Sequence, residues 1–249
     1  MVDTHCHLDA CASSADELVS RAREAGVRRL ATVATDEAGI VVALETASAH
    51  NEVVAIVGRH PNEATGFTAG DLDPIEDAAA DSRVRAIGET GLDFYRDNTP
   101  PEDQRRAFEA QIELAARLGM PLVIHTRAAE EETFALLRER AAALTVILHC
   151  FSAPARLGDC VEHGWLCSFA GNVTYASAGE LQAAAREVPE ELLLVETDSP
   201  YLAPQPVRGR PNEPANVVAT AEVVARLRGV SYAELEATVE RNAARVFGW

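Results

Sequence analysis

The sequence predicts an α/β fold, a (β/α)8 barrel of the TIM type with an extra C-terminal helix, and two observations support this. Short β-branched runs alternate with longer amphipathic segments from one end of the chain to the other. The 249 residues also match the length of about 250 residues that eight strand–helix units typically occupy. Alternation alone does not distinguish a closed barrel from a doubly wound open sheet, so the open sheet stays an alternative.

Eight apolar or mixed runs are interpreted as strands, because each is short and bounded by turn residues. They end near His5, Val33, Gly58, Gly88, His125, His149, Phe169 and Glu196. The first helix begins with a capping box from Ser14 to Glu17 and ends at Gly26. A longer helix begins at about Pro101 and ends at Gly119.

The helical pattern continues through the rest of the chain. Further helices are predicted near residues 36–49, 71–81, 130–142, 154–163, 177–187 and 214–228. A last helix begins with a second capping box, from Ser231 to Glu234. The segment from Ala203 to Pro214 is predicted to be a long loop over one end of the barrel. Because no linker-like stretch divides the chain, residues 1–249 are expected to form one domain.

The composition argues against several classes of protein. Hydrophobic residues make up 47% of the chain, and no apolar run approaches the roughly 18 residues that a transmembrane helix needs. The 39 acidic and 22 basic residues give a net charge of −17, which argues against an electrostatic clamp on many phosphates. Five cysteines without a CxxC pair favour the reducing cytosol, and the polar first ten residues do not resemble a signal peptide.

Ionisable residues collect where the predicted strands end. They are His5, His7, His60, Glu89, His125, His149 and Asp198. In a barrel these positions meet at one rim, where active sites are built. His5 and His7 are expected on the same side of an extended segment, because side chains alternate with a period of two. The other two histidines, His50 and His163, lie at predicted helix ends and are interpreted as structural.

Each of these residues has an ordinary structural explanation by itself, but together they predict a metal site. Imidazole nitrogens and carboxylate oxygens suit divalent ions, with Zn²⁺, Mn²⁺ and Mg²⁺ all left open. One ion is assigned to His5, His7, Glu89 and Asp198, and a second to Glu89, His125 and His149. Two ions about 3.5–4 Å apart activate a bridging water for hydrolysis. The sequence therefore predicts a hydrolase with two divalent ions.

Several motifs in combination resemble the TatD family of metal-dependent deoxyribonucleases over essentially the whole chain. They are DTHCHLD at 3–9, GRHP at 58–61, GETGLD at 88–93, Gln104 through Phe108 to Gln111, HTR at 125–127, HCFS at 149–152, Glu196 to Pro204, and Arg208-Gly209 followed by Asn212-Glu213-Pro214. The resemblance implies a TIM barrel with a binuclear site that hydrolyses phosphodiester bonds in DNA, from 3′ to 5′ at single-stranded ends. Arg59, Ala128 and Ala153 depart from the family pattern, which leaves the substrate preference open.

Three residues are predicted to be catalytic. Asp198 would accept a proton from the metal-activated water as general base, and Glu89 would bridge the two ions. His60 resembles the family histidine that faces the scissile phosphate. With Arg127 it would neutralise charge on the phosphate oxygens.

Further residues are predicted to contact the substrate or to support the ligands. Arg208 is a candidate for the substrate backbone, and a buried network of Arg208, Asn212 and Glu213 is the alternative. Tyr201 is a candidate for stacking on a base, with loop packing as the alternative. Glu196 is expected to orient a ligand histidine.

Other functions stay open from the sequence. The same barrel could hydrolyse a small amide, ester or lactone, or act as a D-aminoacyl-tRNA deacylase, because hydroxide also attacks carbonyl carbons. The absence of a lysine after the fourth strand disfavours the small-molecule hydrolases. A metal-stabilised binding module is a third alternative, although it would need only one closed site. The expected protein is cytoplasmic, acts on single-stranded DNA ends, and has no membrane or obligate protein partner.

Overall fold

The computed structural model describes all 249 residues and shows a barrel of eight parallel strands with helices between them. The strands are β1 (Val2–Cys6), β2 (Arg29–Val33), β3 (Val53–Val57), β4 (Val84–Asp93), β5 (Leu122–Arg127), β6 (Val146–Leu148), β7 (Leu166–Phe169) and β8 (Leu193–Val195). Each strand pairs in parallel with the next along the chain. A parallel bridge between Cys6 and Ser199 joins the two ends of the sheet. The predicted barrel is confirmed, and the open sheet is excluded.

Nine α-helices surround the barrel. They are α1 (Ala15–Glu24), α2 (Glu37–Ala49), α3 (Asp73–Ala79), α4 (Pro101–Leu118), α5 (Glu130–Arg140), α6 (Leu157–His163), α7 (Gly179–Glu187), α8 (Val217–Arg228) and α9 (Tyr232–Phe247). Both predicted capping boxes are present, at Ser14–Glu17 and Ser231–Glu234. The last helix, α9, is the predicted extra C-terminal helix. None of the helices combines the length and apolar character that crossing a membrane requires.

Three predicted helices are shorter than expected, because a separate 3₁₀ turn precedes each of them. These turns are Ala69–Leu72 before α3, Pro154–Arg156 before α6 and Pro214–Asn216 before α8. The last two of these turns begin with a proline, which fixes φ and supplies no N–H to a preceding turn. Conversely, β4 continues to Asp93, beyond its predicted end near Gly88.

The hydrophobic core lies inside the barrel and between the barrel and its helices. It contains 65 buried residues, and the largest of its fully buried side chains include Trp165, Phe108 and Phe134. All five cysteines are free, as expected from their number and spacing. Cys6 is fully buried between the two histidines of its motif, and its thiol donates to the carbonyl oxygen of Ala31 at 3.4 Å.

A buried carboxylate fastens the junction of β1 and β8 beneath the rim. The side chain of Asp3 accepts hydrogen bonds from the Thr197 main-chain N–H at 2.8 Å and from the Thr197 hydroxyl at 2.6 Å. The next residue, Asp198, donates its own N–H to the carbonyl oxygen of His5 at 2.9 Å. The segment after β8 is therefore tied to β1 at the level of the predicted metal ligands.

Candidate metal centre

The carboxyl ends of the strands bring the six predicted ligands into one cluster. His5 lies in β1, Glu89 in β4 and His125 in β5, whereas His7, His149 and Asp198 follow β1, β6 and β8. Four of the six are nearly inaccessible, and His125 and Asp198 keep a small exposed fraction.

Glu89 and His125 come together because β4 and β5 approach unusually closely. Gly91 has a φ of +137°, and a Cβ atom at this position would lie 2.0 Å from the carbonyl oxygen of His125. Any side chain would therefore push the two strands apart, in addition to straining the backbone. Gly91, the second glycine of the GETGLD motif, is thus required by the packing of the site.

One group of donor atoms, here called the β1–β8 group, comprises His5, His7, Asp198 and Oε2 of Glu89. The Nε2 atoms of His5 and His7 lie 3.3 Å apart, as expected for side chains on one side of a strand. His5 Nε2 lies 3.3 Å from Glu89 Oε2, and His7 Nε2 lies 3.5 Å from Asp198 Oδ1. Asp198 Oδ1 and Glu89 Oε2 thus each lie within 4.0 Å of the Nε2 atoms of both histidines.

A second group, the β4–β6 group, comprises His125, His149 and the other carboxylate oxygen of Glu89. Glu89 Oε1 lies 2.8 Å from both His125 Nδ1 and His149 Nε2. These two nitrogens are 3.4 Å apart. Glu89 thus places one oxygen in each group, which is the arrangement that the bridging role requires.

The donor atoms fit divalent cations. Two ligands bound at about 2.0–2.2 Å in tetrahedral geometry lie about 3.4 Å apart, close to the spacings in the β1–β8 group. Two imidazole nitrogens held 3.3 Å apart point their lone pairs at the same space, and a shared cation satisfies both. The donor set is made only of nitrogen and oxygen, which suits Zn²⁺ and Mn²⁺ and also tolerates Mg²⁺.

The carboxylates of the cluster are ionised in this environment. Burial alone would raise the pKa of Glu89, but the surrounding histidines, His149 and His60 first among them, hold it well below its ordinary value. Burial and His7 act in the same opposed way on Asp198, and the net effect lowers its pKa. Both side chains therefore present negative oxygens to a cation.

His60 differs from the ligand histidines in its hydrogen bonding. Its Nδ1 accepts the main-chain N–H of Asn62 at 3.0 Å, so in the neutral imidazole the proton lies on Nε2. Burial lowers the pKa of His60, which favours this neutral form. Its Nε2 lies 3.5 Å from Glu89 Oε1 at the open side of the cluster. A protonated Nε2 is a hydrogen-bond donor rather than a metal ligand.

Two further carboxylates contact the outer nitrogens of His125 and His149. Glu196 Oε1 lies 3.1 Å from His149 Nδ1, so the expected contact of Glu196 with a ligand histidine is present. Asp93 Oδ2 lies 3.3 Å from His125 Nε2, a contact that the sequence analysis missed. The available signal was its spacing, because Asp93 is four residues after Glu89 and therefore on the same side of an extended strand.

The predicted substrate residues lie around the cluster at different distances from it. The Tyr201 ring centroid lies 6.1 Å from that of His7, and this tyrosine is 57% exposed. Arg127 is exposed at the end of β5, and its guanidinium carbon lies 3.8 Å from the ring centroid of Tyr95. Arg208 is exposed as well, and it stacks at 4.2 Å over the ring of Tyr175.

The alternative of a buried Arg208, Asn212 and Glu213 network is wrong. Arg208 is turned outward onto Tyr175, and Glu213 pairs with Arg21 at 2.8 Å. Asn212 is buried and donates to two main-chain carbonyl oxygens of the loop instead. The loop is therefore held by hydrogen bonds to its backbone rather than by an internal ion pair.

Comparison with known proteins shows the family to which the chain belongs. The family model described as TatD related DNase matches residues 2–248. The chain belongs to the TatD family. The resemblance carried by the motifs is thereby confirmed over almost the whole sequence.

TatD-family relatives share both the length and the fold. An uncharacterized metal-dependent hydrolase TatD of Mycobacterium tuberculosis is 41% identical over 258 residues, covering 100% of this chain and 98% of its own. The 3′-5′ ssDNA/RNA exonuclease TatD of Escherichia coli is 36% identical, covering 95% and 94%. The crystal structure of the TatD homologue YjjV from Escherichia coli superposes with a TM-score of 0.93 at 26% identity, covering 100% and 98%. The chain is thus a metal-dependent hydrolase of the TatD family.

Proposed function

We propose that this TatD-family hydrolase is a deoxyribonuclease that removes nucleotides from the 3′ ends of single-stranded DNA. The observation that carries the proposal is the position of Glu89, whose two oxygens belong to two different donor groups. Paired divalent sites of this kind serve displacements at phosphorus. The relative named as a 3′-5′ ssDNA/RNA exonuclease supports the choice of nucleic acid as substrate.

The β1–β8 group would hold one ion through His5, His7, Glu89 and Asp198, and the β4–β6 group a second through Glu89, His125 and His149. When bound, two divalent ions lower the pKa of a water molecule and neutralise charge on a phosphate group. Asp93 and Glu196 hold His125 and His149 in the orientation in which Nδ1 and Nε2, respectively, face Glu89.

Asp198 acts on the attacking water and His60 on the phosphate group in this proposal. The Asp198 carboxylate is ionised and would accept the proton of the water that attacks phosphorus. The bond from phosphorus to the 3′ oxygen would break, and the proton would pass to that leaving oxygen. His60 is neutral with its proton on Nε2, so it donates a hydrogen bond to a phosphate oxygen. Arg127 and Arg208 carry positive charge at the rim, where the neighbouring phosphates of a strand would lie.

The net charge of −17 limits how the substrate is held. An enzyme that grips only a strand end needs few phosphate contacts, and bound cations supply positive charge locally. We therefore expect weak affinity for duplex DNA and a modest dependence on salt, since the slope scales with the number of neutralised phosphates.

The test is hydrolysis of 5′-labelled single-stranded DNA by the purified protein with Mg²⁺, Mn²⁺ or Zn²⁺. The expected product is a ladder that shortens from the 3′ end, with EDTA stopping the reaction and one added divalent ion restoring it. Asp198→Asn is the matched inactive variant. Its rate of DNA hydrolysis should be lower by about 10²- to 10⁴-fold, the usual contribution of a general base.

Parallel reactions separate this proposal from the other functions. Turnover of an ester, a lactone or a D-aminoacyl-tRNA with the DNA left intact would replace the nuclease by a carbonyl hydrolase. Metal binding without hydrolysis of any of these substrates would indicate a binding module.

A further inference from the structure

Three of the four tyrosines of the chain lie in loops at the rim that holds the metal centre. Tyr95 follows β4, Tyr175 follows β7 and Tyr201 follows β8. Tyr95 and Tyr201 are 68% and 57% exposed, which places them among the few large exposed hydrophobic side chains of the protein. An exposed tyrosine is common by itself, so the surroundings of each ring decide whether it has a role.

Tyr95 is held in place from two directions. The guanidinium carbon of Arg127, at the end of the neighbouring strand β5, lies 3.8 Å from the ring centroid. The main-chain N–H of Tyr95 donates to Asp93 Oδ1 at 3.0 Å, and the other oxygen of Asp93 contacts His125. One face of the ring is therefore backed by a cation, the other is open to solvent, and the main chain is anchored to the metal centre.

Tyr201 lies on the opposite side of the same opening. It follows β8 and approaches His7, whereas Tyr95 follows β4, which is half-way around an eight-stranded barrel from β8. The two tyrosines therefore lie on opposite sides of the opening above the metal centre.

We propose that Tyr95, backed by Arg127, is a stacking platform for an unpaired nucleobase of the substrate strand, an inference that rests on the proposed function. The open face of the ring takes the 3′-terminal base, and Tyr201 takes the base on the other side of the scissile phosphate. Every base offers such a face, so the platform is tolerant of sequence. Bases inside a duplex are stacked on one another, so the platform selects single strands.

The kinetic test compares a short single-stranded oligonucleotide with the same oligonucleotide carrying an abasic residue at its 3′ end. The measured quantity is the ratio of kcat/KM for the two substrates. From the usual strength of stacking between one base and an aromatic ring, Tyr95→Ala should lower this ratio by about 5- to 150-fold. Tyr95→Phe keeps the ring and should preserve the ratio. Val161→Ala, an exposed position on α6, is the surface control.

A binding measurement makes the outcome independent of turnover. A single-stranded oligonucleotide with 2-aminopurine at its 3′ end and phosphorothioate linkages resists hydrolysis, and its fluorescence falls when the base stacks. Quenching by the wild-type protein and by Tyr95→Phe, but not by Tyr95→Ala, is the expected result.

The two proposals fail in different ways. If the wild-type protein hydrolyses DNA and Tyr95→Ala keeps the full preference for the base, the platform is overturned and the exonuclease stands. If the wild-type protein hydrolyses no DNA, the proposed exonuclease activity is overturned. The quenching of 2-aminopurine fluorescence then shows whether Tyr95 stacks on the base. Equal quenching by wild-type protein and Tyr95→Ala would then overturn the platform too.

Discussion

The histidines on the two sides of Glu89 are held by different chemistry. In the β4–β6 group, the outer nitrogens of His125 and His149 face the carboxylates of Asp93 and Glu196, at 3.3 and 3.1 Å. In the β1–β8 group, His7 Nδ1 lies 3.2 Å from the main-chain carbonyl oxygen of Val33, and His5 Nδ1 is buried without a hydrogen-bond partner. Carboxylates therefore support both histidines of the β4–β6 group, whereas in the β1–β8 group only His7 has such a partner, a main-chain carbonyl.

This difference predicts different roles for the two groups in cation binding and in catalysis. A carboxylate behind an imidazole fixes its orientation and makes it a stronger donor. We therefore expect the β4–β6 group to bind its cation tightly. The β1–β8 group has weaker support for its histidines and relies on Asp198, which lies three residues beyond the end of β8 in a loop. We expect the more exchangeable ion, and the general base, on this second side.

Replacing the residue that the two sides share should have the largest effect. Glu89→Ala removes an oxygen from each group, so we expect both ions to bind much more weakly and hydrolysis to fall to the background rate. Metal content per chain and turnover measure the two effects. Circular dichroism should show the fold retained. Normal turnover by the purified variant would contradict the shared role of Glu89.

Changing the supporting carboxylates should separate the two sides. Asp93→Asn and Glu196→Gln keep the shape of each side chain but remove its charge, so we expect the affinity of the β4–β6 ion to fall by about 10- to 100-fold. The β1–β8 ion should keep its affinity, because neither carboxylate forms a hydrogen bond to His5 or His7, although Glu196 has an oxygen within 4.8 Å of a His5 nitrogen. Calorimetric titration of the metal-free protein would show one binding step moved and one unchanged. Equal weakening of both steps would remove the distinction between the two groups.

The sequence was sufficient for the fold because local signals agreed with the global pattern. The capping boxes at Ser14 and Ser231 and the glycine after α4 mark helix ends that the structure reproduces. The meeting of the six candidate ligands in one cluster was predictable for a related reason. Parallel strands of a barrel end at one rim, so polar residues that follow apolar runs must meet there.

The contacts of individual side chains could not be predicted in the same way. Asp93 was missed because β4 extends past its apolar part, and strand length there is set by pairing with β5 rather than by hydrophobicity. The stacking of Arg127 on Tyr95 and of Arg208 on Tyr175 depends on rotamers and on loop paths. Sequence periodicity reports which face a residue occupies and contains no information about these choices.

The smallest effect, and the finest test of the comparison, concerns the loop that carries Asp198. The buried side chain of Asn212 donates to the carbonyl oxygens of Thr197 and Tyr201 at 2.9 and 2.7 Å, on either side of Asp198. Asn212→Ala leaves both carbonyls without this donor, so we expect the free energy of unfolding in urea to fall by about 1–3 kcal/mol. Turnover should fall as well, because the position of Asp198 depends on this loop.

Asn242 provides a matched control at the other end of the same strand. It is equally buried, lies on α9, and donates to the carbonyl oxygens of Glu190 and Leu193 at 2.6 and 2.8 Å. Asn242→Ala should lose a similar amount of stability with turnover unchanged, because these carbonyls lie at the amino end of β8, away from the rim. If both variants lost the same stability and the same turnover, the loss of turnover would come from the lower stability of the barrel. The loop that holds Asp198 would then not explain the difference between the β1–β8 and β4–β6 groups.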